Sequence, residues 1–380
     1  MKMTRAILLT AVLAACSQDQ DPSRQFPLSP SFDRRSNTIG QVYTMTNSPA
    51  GNAVLAFDRS ADGSLTAAGS YPTGGAGTGG GLGNQGGVVL DNAGNRLAVV
   101  NAGSNDVTLF QVNGDGTLVQ TDRVASGGAM PISVTISHDV LYVLNAGGSG
   151  NISGFSISAQ GDLTSIAGST KSLSSAAAGP AEVSFAPGGQ WLVVTEKANN
   201  RISTYAVDQN GVASGPTTTP SSGATPFGFS FTNSGTLVVS EAFGGGANAS
   251  AVSTYAANAN GTWAVISPSV ATTETAACWI VVTNSGRYAY TTNAGSGTIS
   301  GYAIQQGTLT LLNASGVTGN IGAGTGPSDM AVSRDSRNLY ARAGGTNQIA
   351  IFGIGADGSL SSPGGWISGL PAGWNGLAAR

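Results

Sequence analysis

Short apolar runs alternate with polar turns along this chain in a fixed order. A small residue or Pro leads a run of four to six apolar positions; after a polar turn, a second apolar run ends in Asn or Glu. Ser, Gly and Asn follow, and then a strand ends on an aromatic. Six nearly complete copies span residues 87–110, 133–155, 182–205, 228–255, 279–302 and 329–352. A seventh is split: residues 42–47 and 53–57 supply middle strands with no first strand, and residues 374–379 supply a first strand with no followers. A fourth, outer strand follows turns such as Asn113-Gly114-Asp115-Gly116 and Ala356-Asp357-Gly358, where Gly accepts the positive φ of a tight hairpin. Each copy is a small sheet that buries its faces only against neighbouring copies. The pattern predicts an all-β chain: a seven-bladed β-propeller with four antiparallel strands per blade, its ring closed by N- and C-terminal strands sharing one blade.

That architecture absorbs all the length the repeats cover, so one closed ring over residues 37–380 is expected instead of the two or three domains that 380 residues would otherwise suggest. The 57 glycines fall mostly at turns, and 40% hydrophobic residues suffice for a core shared between blades. The glycine-rich run 73–87 reads as a mobile connection on one face. Only 9% of residues are charged, with a net charge of -3. No basic patch exists for nucleic acid, and that partner class is excluded. A monomer is expected.

The N-terminus adds a location. Lys2 and Arg5 precede an apolar stretch at residues 6–13, too short to span a bilayer, and Leu13-Ala14-Ala15-Cys16 places small residues before a cysteine. The segment resembles a bacterial lipobox. This implies a signal peptide at 1–15, a lipidated, palmitate-bearing Cys16, and a polar tether at 16–36; an ordinary signal peptide with an incidental Cys is the alternative. Ser17 and Gln18 direct the expectation to the outer membrane of the cell envelope, with membrane contact through the lipid anchor. Cys278 is then the one cysteine left, so no intrachain disulfide is available; it reads as a buried, inert thiol.

In an antiparallel hairpin, the start of the first strand and the end of the second share one face, and the turn between them lies on the other. The single histidine, His138, occupies such a turn and is sent away from the propeller mouth. Two registers line the mouth. First strands begin with Gly86, Ile132, Ala181, Phe227, Cys278, Ser328 and Asn375, followed by Gly87, Ser133, Glu182, Gly228, Trp279, Asp329 and Gly376. Second strands end on Asn47, Asn101, Asn145, Glu196, Glu241, Asn293 and Ala343. Asn at strand ends often only caps turns, whereas Glu196 and Glu241 stand out in so uncharged a chain. Glu241, Glu196, Arg342 and Arg201 are therefore the candidate catalytic residues. Asn101, Asn145, Asn293, Phe227, Trp279, Asp329 and Trp374 are the candidate ligand contacts. No His and Cys cluster exists for zinc, and no cofactor is expected; a mouth-bound Ca2+ on Glu196, Glu241 and Asn side chains is the remaining metal option.

The phrases Phe185-Ala186-Pro187-Gly188-Gly189-Gln190-Trp191-Leu192, Asn284-Ser285-Gly286-Arg287-Tyr288-Ala289-Tyr290 and Asn293-Ala294-Gly295-Ser296-Gly297-Thr298-Ile299-Ser300-Gly301-Tyr302 resemble the "SPDGRYLYVAN…GSNSVSVF" repeats of the lactonase family of seven-bladed propellers. That family contains bacterial 6-phosphogluconolactonases and fungal carboxymuconate lactonizing enzymes. The resemblance implies lactone chemistry at the mouth using His, Arg and Glu. Here Pro180-Ala181 and Pro226-Phe227-Gly228 stand where the family carries His and Arg-His, and Glu241 falls within one residue of the family's Glu. Two readings follow: a lactonase-like envelope hydrolase with Glu241 as base, Glu196 assisting and Arg342 or Arg201 as electrophile, or a non-catalytic propeller that binds a small molecule, glycan or partner protein.

Overall fold

The computed structural model describes residues 38–361 and 365–380. They form seven antiparallel sheets. The innermost strands of successive sheets pack side by side, and the last of them, Asn375–Ala379, packs on both Pro327–Val332 and Val88–Leu90, so the ring closes. The signal peptide, Cys16 and the tether lie outside the described residues. Among the described residues no helix is long and apolar enough to cross a membrane.

Blade 1 comprises strands Val88–Leu90, Arg96–Asn101, Asp106–Val112 and Leu118–Ala125, counted outwards from the axis. Blade 2 begins at Pro131–Ser137, blade 3 at Pro180–Phe185, blade 4 at Pro226–Phe231, blade 5 at Ala277–Val282 and blade 6 at Pro327–Val332. Blade 7 joins Asn375–Ala379 to Thr38–Met45, Ala53–Ser60 and Leu65–Pro72. Its closing register sets Val42 opposite Ala379 and Met45 opposite Asn375. This is the division between the chain ends that the split repeat predicts.

Burial explains the written pattern. Second strands are covered on both faces by neighbouring blades, so Leu97, Ala98, Val99 and Val100 are all fully buried and the sequence reads as a continuous apolar run. Outer strands such as Leu118–Ala125 are mostly exposed or half-buried after the first residue and are polar. Between blades, tyrosines on second strands tie to the outer turn of the next blade. Tyr43 donates to the Gly116 carbonyl at 2.9 Å, Tyr142 to Gly211 at 2.6 Å, Tyr290 to Gly358 at 2.8 Å and Tyr340 to Gly63 at 3.0 Å. Each phenol buries its ring and still finds an acceptor, a contribution of about 1 kcal/mol per bond.

Six innermost strands carry a bulge near their start, between Pro131 and Ser133, Pro180 and Glu182, Pro226 and Phe229, Ala277 and Trp279, Pro327 and Met330, and Asn375 and Ala378. Such a bulge re-aims the following side chains and interrupts the ladder, and Pro at four of these starts needs no donor there. One expectation is corrected at this level. The glycine-rich run 73–87 is not confined to the surface of one face: Leu82, Asn84 and Gln85 are buried, and the segment enters the axial channel.

Candidate functional site

The inner edge of a propeller ring exposes backbone N–H and C=O groups toward the axis, and each needs a partner. Side chains of the preceding blade supply several of them. Ser133 Oγ accepts the Val183 amide at 3.1 Å, and Glu182 Oε2 accepts the Phe229 amide at 2.6 Å. Gln85 completes the set from the inserted segment. Its Oε1 accepts the Ile280 amide at 2.9 Å, and its Nε2 donates to the Ile280 carbonyl at 2.8 Å and to the Phe229 carbonyl at 3.3 Å. Gly228 is required here, because a Cβ would stand 2.1 Å from Gln85 Oε1.

Further bonds pin the same segment over the mouth. Asn84 donates to the Ile132 carbonyl, and its own carbonyl accepts the Trp279 indole N–H. Lys197 donates to the Gly83 carbonyl at 2.6 Å while its ammonium lies 4.5 Å from the Phe227 ring centroid. Phe227 in turn tilts against Trp279 at 4.8 Å. Burial lowers the Lys197 pKa to about 8, against the raising effect of the Cys278 thiol. Cys278 is free and buried, as expected, and burial pushes its thiol up to about 12.

Across the mouth stands a second group, on blades 6 and 7. Arg342 Nε donates to the Trp374 carbonyl at 2.7 Å and Nη1 to Ser328 Oγ at 2.7 Å, and its guanidinium lies 5.0 Å from the Trp374 ring centroid. Asp329 is 3% exposed; Oδ1 accepts the Met330 amide at 3.0 Å, and the backbone of Leu377 on blade 7 also bonds the carboxyl and lowers its pKa. Burial raises the Asp329 carboxyl to about 7, with Arg342 among the groups pulling it back. Burial also raises Glu182 well above the carboxylate range; its bond from the Phe229 amide opposes this, and the charge of Asp329 adds to it. Two buried acids on blades 3 and 6 therefore face each other closely enough for the charge of one to act on the other.

The ring of Asn and Glu at second-strand ends does something other than predicted. Glu196 is fully buried and accepts from the Ser174 amide at 3.0 Å, the Ser174 hydroxyl, Asn199 at 2.9 Å and Ser203 at 2.7 Å. Glu241 is likewise fully buried and accepts from the Gly223 amide at 2.8 Å, Ser253 at 2.6 Å and Ser269 at 2.7 Å. Both carboxylates hold the segment arriving from the previous blade, and neither opens on the mouth. Asn101, Asn145 and Asn293 are also fully buried; the first two hold the arriving segment in the same way, and Asn293 bonds the third strand of its own blade. Asn101 bonds Thr73, Asp106 and Thr108; Asn145 bonds the Ser126 carbonyl; Asn293 bonds Thr298 and Ser300. With their oxygens so occupied, Glu196 and Glu241 offer no Ca2+ site. Among the described residues no group of three or more His, Cys, Asp or Glu is placed to hold a metal ion.

Two further candidates are corrected. Arg201 starts the third strand of blade 3 opposite Glu196, one strand farther from the axis than the mouth. Trp374 is fully buried and serves as the plate on which Arg342 rests. Phe227, Trp279, Asp329 and Arg342 stand at the inner ends of blades 4 to 6. His138 sits in the turn after Pro131–Ser137, at the opposite end of its hairpin from Asn145, beside a cleft of about 510 Å³. Sequence reasoning missed Asn84, Gln85 and the Lys197 contact. The available signal was three non-glycine residues, Leu82, Asn84 and Gln85, set within a run of glycines.

A family model described as "Lactonase, 7-bladed beta-propeller" matches residues 42–175, 149–261 and 247–365. The chain belongs to this lactonase family. Among solved structures, a candidate 6-phosphogluconolactonase from Bacteroides fragilis is similar with a TM-score of 0.68 at 17% identity, covering 93% of this chain and 100% of that one. The periplasmic gluconolactonase of Pseudomonas aeruginosa gives a TM-score of 0.66 at 18% identity, with 88% and 98% covered. A Lactobacillus plantarum protein gives 0.69 at 17% identity, with 90% and 99% covered. At such identities the likeness is one of fold. No curated protein matches the chain in sequence.

Proposed function

We propose that this lactonase-family propeller opens the ring of a neutral aldonolactone at its axial mouth, as a lipoprotein of the cell envelope anchored through Cys16. The observation that carries the catalytic reading is the pairing on blade 6 of a buried carboxyl held near 7, Asp329, with the guanidinium of Arg342. A general base is most effective when its pKa lies near the working pH. The Asp329 carboxylate takes a proton from water as the hydroxide adds to the lactone carbonyl carbon. Arg342 stabilises the resulting oxyanion. Collapse breaks the ring C–O bond, and the proton on Asp329 passes to the leaving alkoxide, giving a hydroxy acid. A neutral substrate is favoured because Arg342 is committed to the oxyanion and Lys197 is bonded to the Gly83 carbonyl, which leaves little to hold a phosphate.

Purified protein is assayed against sugar lactones with and without a phosphate group, alongside Asp329→Asn and Arg342→Met. Ring opening of a neutral aldonolactone, reduced at least a hundredfold in Asp329→Asn, supports the reading. An inert wild-type protein overturns it, and ligand-induced thermal stabilisation without turnover assigns the mouth to binding alone. The anchor is tested separately by mass spectrometry of the N-terminal peptide: a diacylated Cys16 is expected, and an unmodified Cys16 refutes it.

A further inference from the structure

The axial channel is already occupied by the chain itself. Residues 79–81 are glycines, and Gly80 and Gly81 are exposed, with no atom within 4 Å of where a side chain would begin. Gly86 and Gly87 close the segment at the other end, Gly86 at φ +77°. Between these two glycine hinges three side chains are carried inward: Leu82, 6% exposed, Asn84, 0%, and Gln85, 8%. The last two make the contacts that a bound polar ligand would make. The Gln85 carboxamide both accepts from and donates to Ile280 and reaches the Phe229 carbonyl; the Asn84 side chain donates to the Ile132 carbonyl, and its backbone carbonyl accepts the Trp279 indole N–H. These partners are bare strand edges and one indole, none of them charged. They suit a ligand bearing adjacent hydroxyl or amide groups, each able to donate and accept.

We propose that residues 79–86 are a self-ligand: Asn84 and Gln85 fill the polyol-binding site of the mouth, and a sugar lactone or its hydroxy acid binds by displacing them. The inference rests on the axial mouth being the lactone site. Asp329 and Glu182 lie 3% and 6% exposed. The Lys197 bond to the Gly83 carbonyl latches the closed form, and the glycine hinges let the segment move without side-chain strain. A competing intramolecular ligand lowers apparent affinity by the fraction of molecules that are open. Weakening it therefore tightens binding.

The test uses the full chain, with gluconate and glucono-δ-lactone as probes, and compares wild type with Gln85→Ala and Lys197→Met. Calorimetry measures gluconate affinity, and hydrogen exchange follows amides 79–87. The expected result is gluconate binding at least fivefold tighter in both variants, with exchange of 79–87 at least tenfold faster in saturating gluconate. Unchanged or slower exchange of 79–87 while gluconate binds overturns the proposal. So does failure of both variants to bind gluconate. Binding with segment release but no ring opening of glucono-δ-lactone in any form leaves the self-ligand intact and sinks the hydrolase reading. Turnover without segment release does the reverse.

Discussion

Glu182 of blade 3 and Phe229 of blade 4 are joined across the channel rim by a 2.6 Å hydrogen bond from the Phe229 amide to Glu182 Oε2. The bond satisfies an inner-edge N–H that no strand ladder reaches. What the position requires is an oxygen acceptor, and a charge there is opposed by burial. Glu182→Gln keeps the acceptor and is expected to unfold at the same denaturant concentration as wild type, or a higher one, at pH 7. Glu182→Ala orphans the amide and is expected to lose about 1–3 kcal/mol in the same titration. Equal losses in both variants would mean that the negative charge itself is needed.

Asp329 links stability to pH with a definite sign. Its carboxyl is raised to about 7 in the folded chain, whereas an unfolded Asp titrates at about 3.9. Between those values the folded state holds the extra proton. Its stabilising contribution is full below about pH 4, falls by roughly 1.4 kcal/mol per unit as the pH rises, and is flat above about 7. Glu182 is raised as well and adds a fall of the same sign. Asp329→Asn should flatten part of this slope and be more stable than wild type at pH 8, as read by thermal unfolding from pH 5 to 8. Turnover should run the other way, rising through about pH 7 as the base ionises. A wild-type Tm that increases from pH 5 to 8 contradicts the assignment.

Glu196 and Glu241 are expected to matter for folding and not for chemistry. Glu241→Ala strips the acceptor from the Gly223 amide and the Ser253 and Ser269 hydroxyls, leaving buried donors unpaired at a cost of about 2–4 kcal/mol. Glu196→Ala does the same to Ser174, Asn199 and Ser203. The folded fraction of each variant should keep wild-type kcat/KM on an aldonolactone. A folded Glu241→Ala with its activity abolished would return that residue to the catalytic set.

These corrections show which parts of the molecule a sequence can carry. The blade period and the split seventh blade were legible because covering a second strand on both faces forces a continuous apolar run. The face assigned to His138 followed from hairpin geometry alone. The positions of Glu196 and Glu241 were read correctly, but their direction was not: a carboxylate at a strand end can turn to the axis or to the arriving linker, and Ser174, Gly223 and Ser269, which decide the matter, lie outside the repeated register. The inserted segment had no period to read. Its fold is dictated by unpaired strand edges on blades 4 and 5, which no local pattern near Gln85 reveals.

The last prediction concerns closure of the ring. Asn375–Ala379 supplies the inner strand of blade 7, and Arg380 fastens it, with Nε donating to Gln41 Oε1 at 2.6 Å, Nη1 to the Gly94 carbonyl at 3.0 Å and Nη2 to the Asn113 carbonyl at 3.0 Å. The guanidinium thus bridges blades 7 and 1. Arg380→Ala should leave the ring closed and lower stability by about 1–2 kcal/mol. Deleting residues 375–380 is different in kind. It bares the edge of Thr38–Met45 and uncovers the buried Val42, Tyr43 and Met45, and an open apolar edge pairs with other chains. The truncated chain should lose cooperative unfolding and elute as aggregate in size-exclusion chromatography. If it stays monomeric with a sharp transition, blade 7 holds on three strands and the closing strand is dispensable.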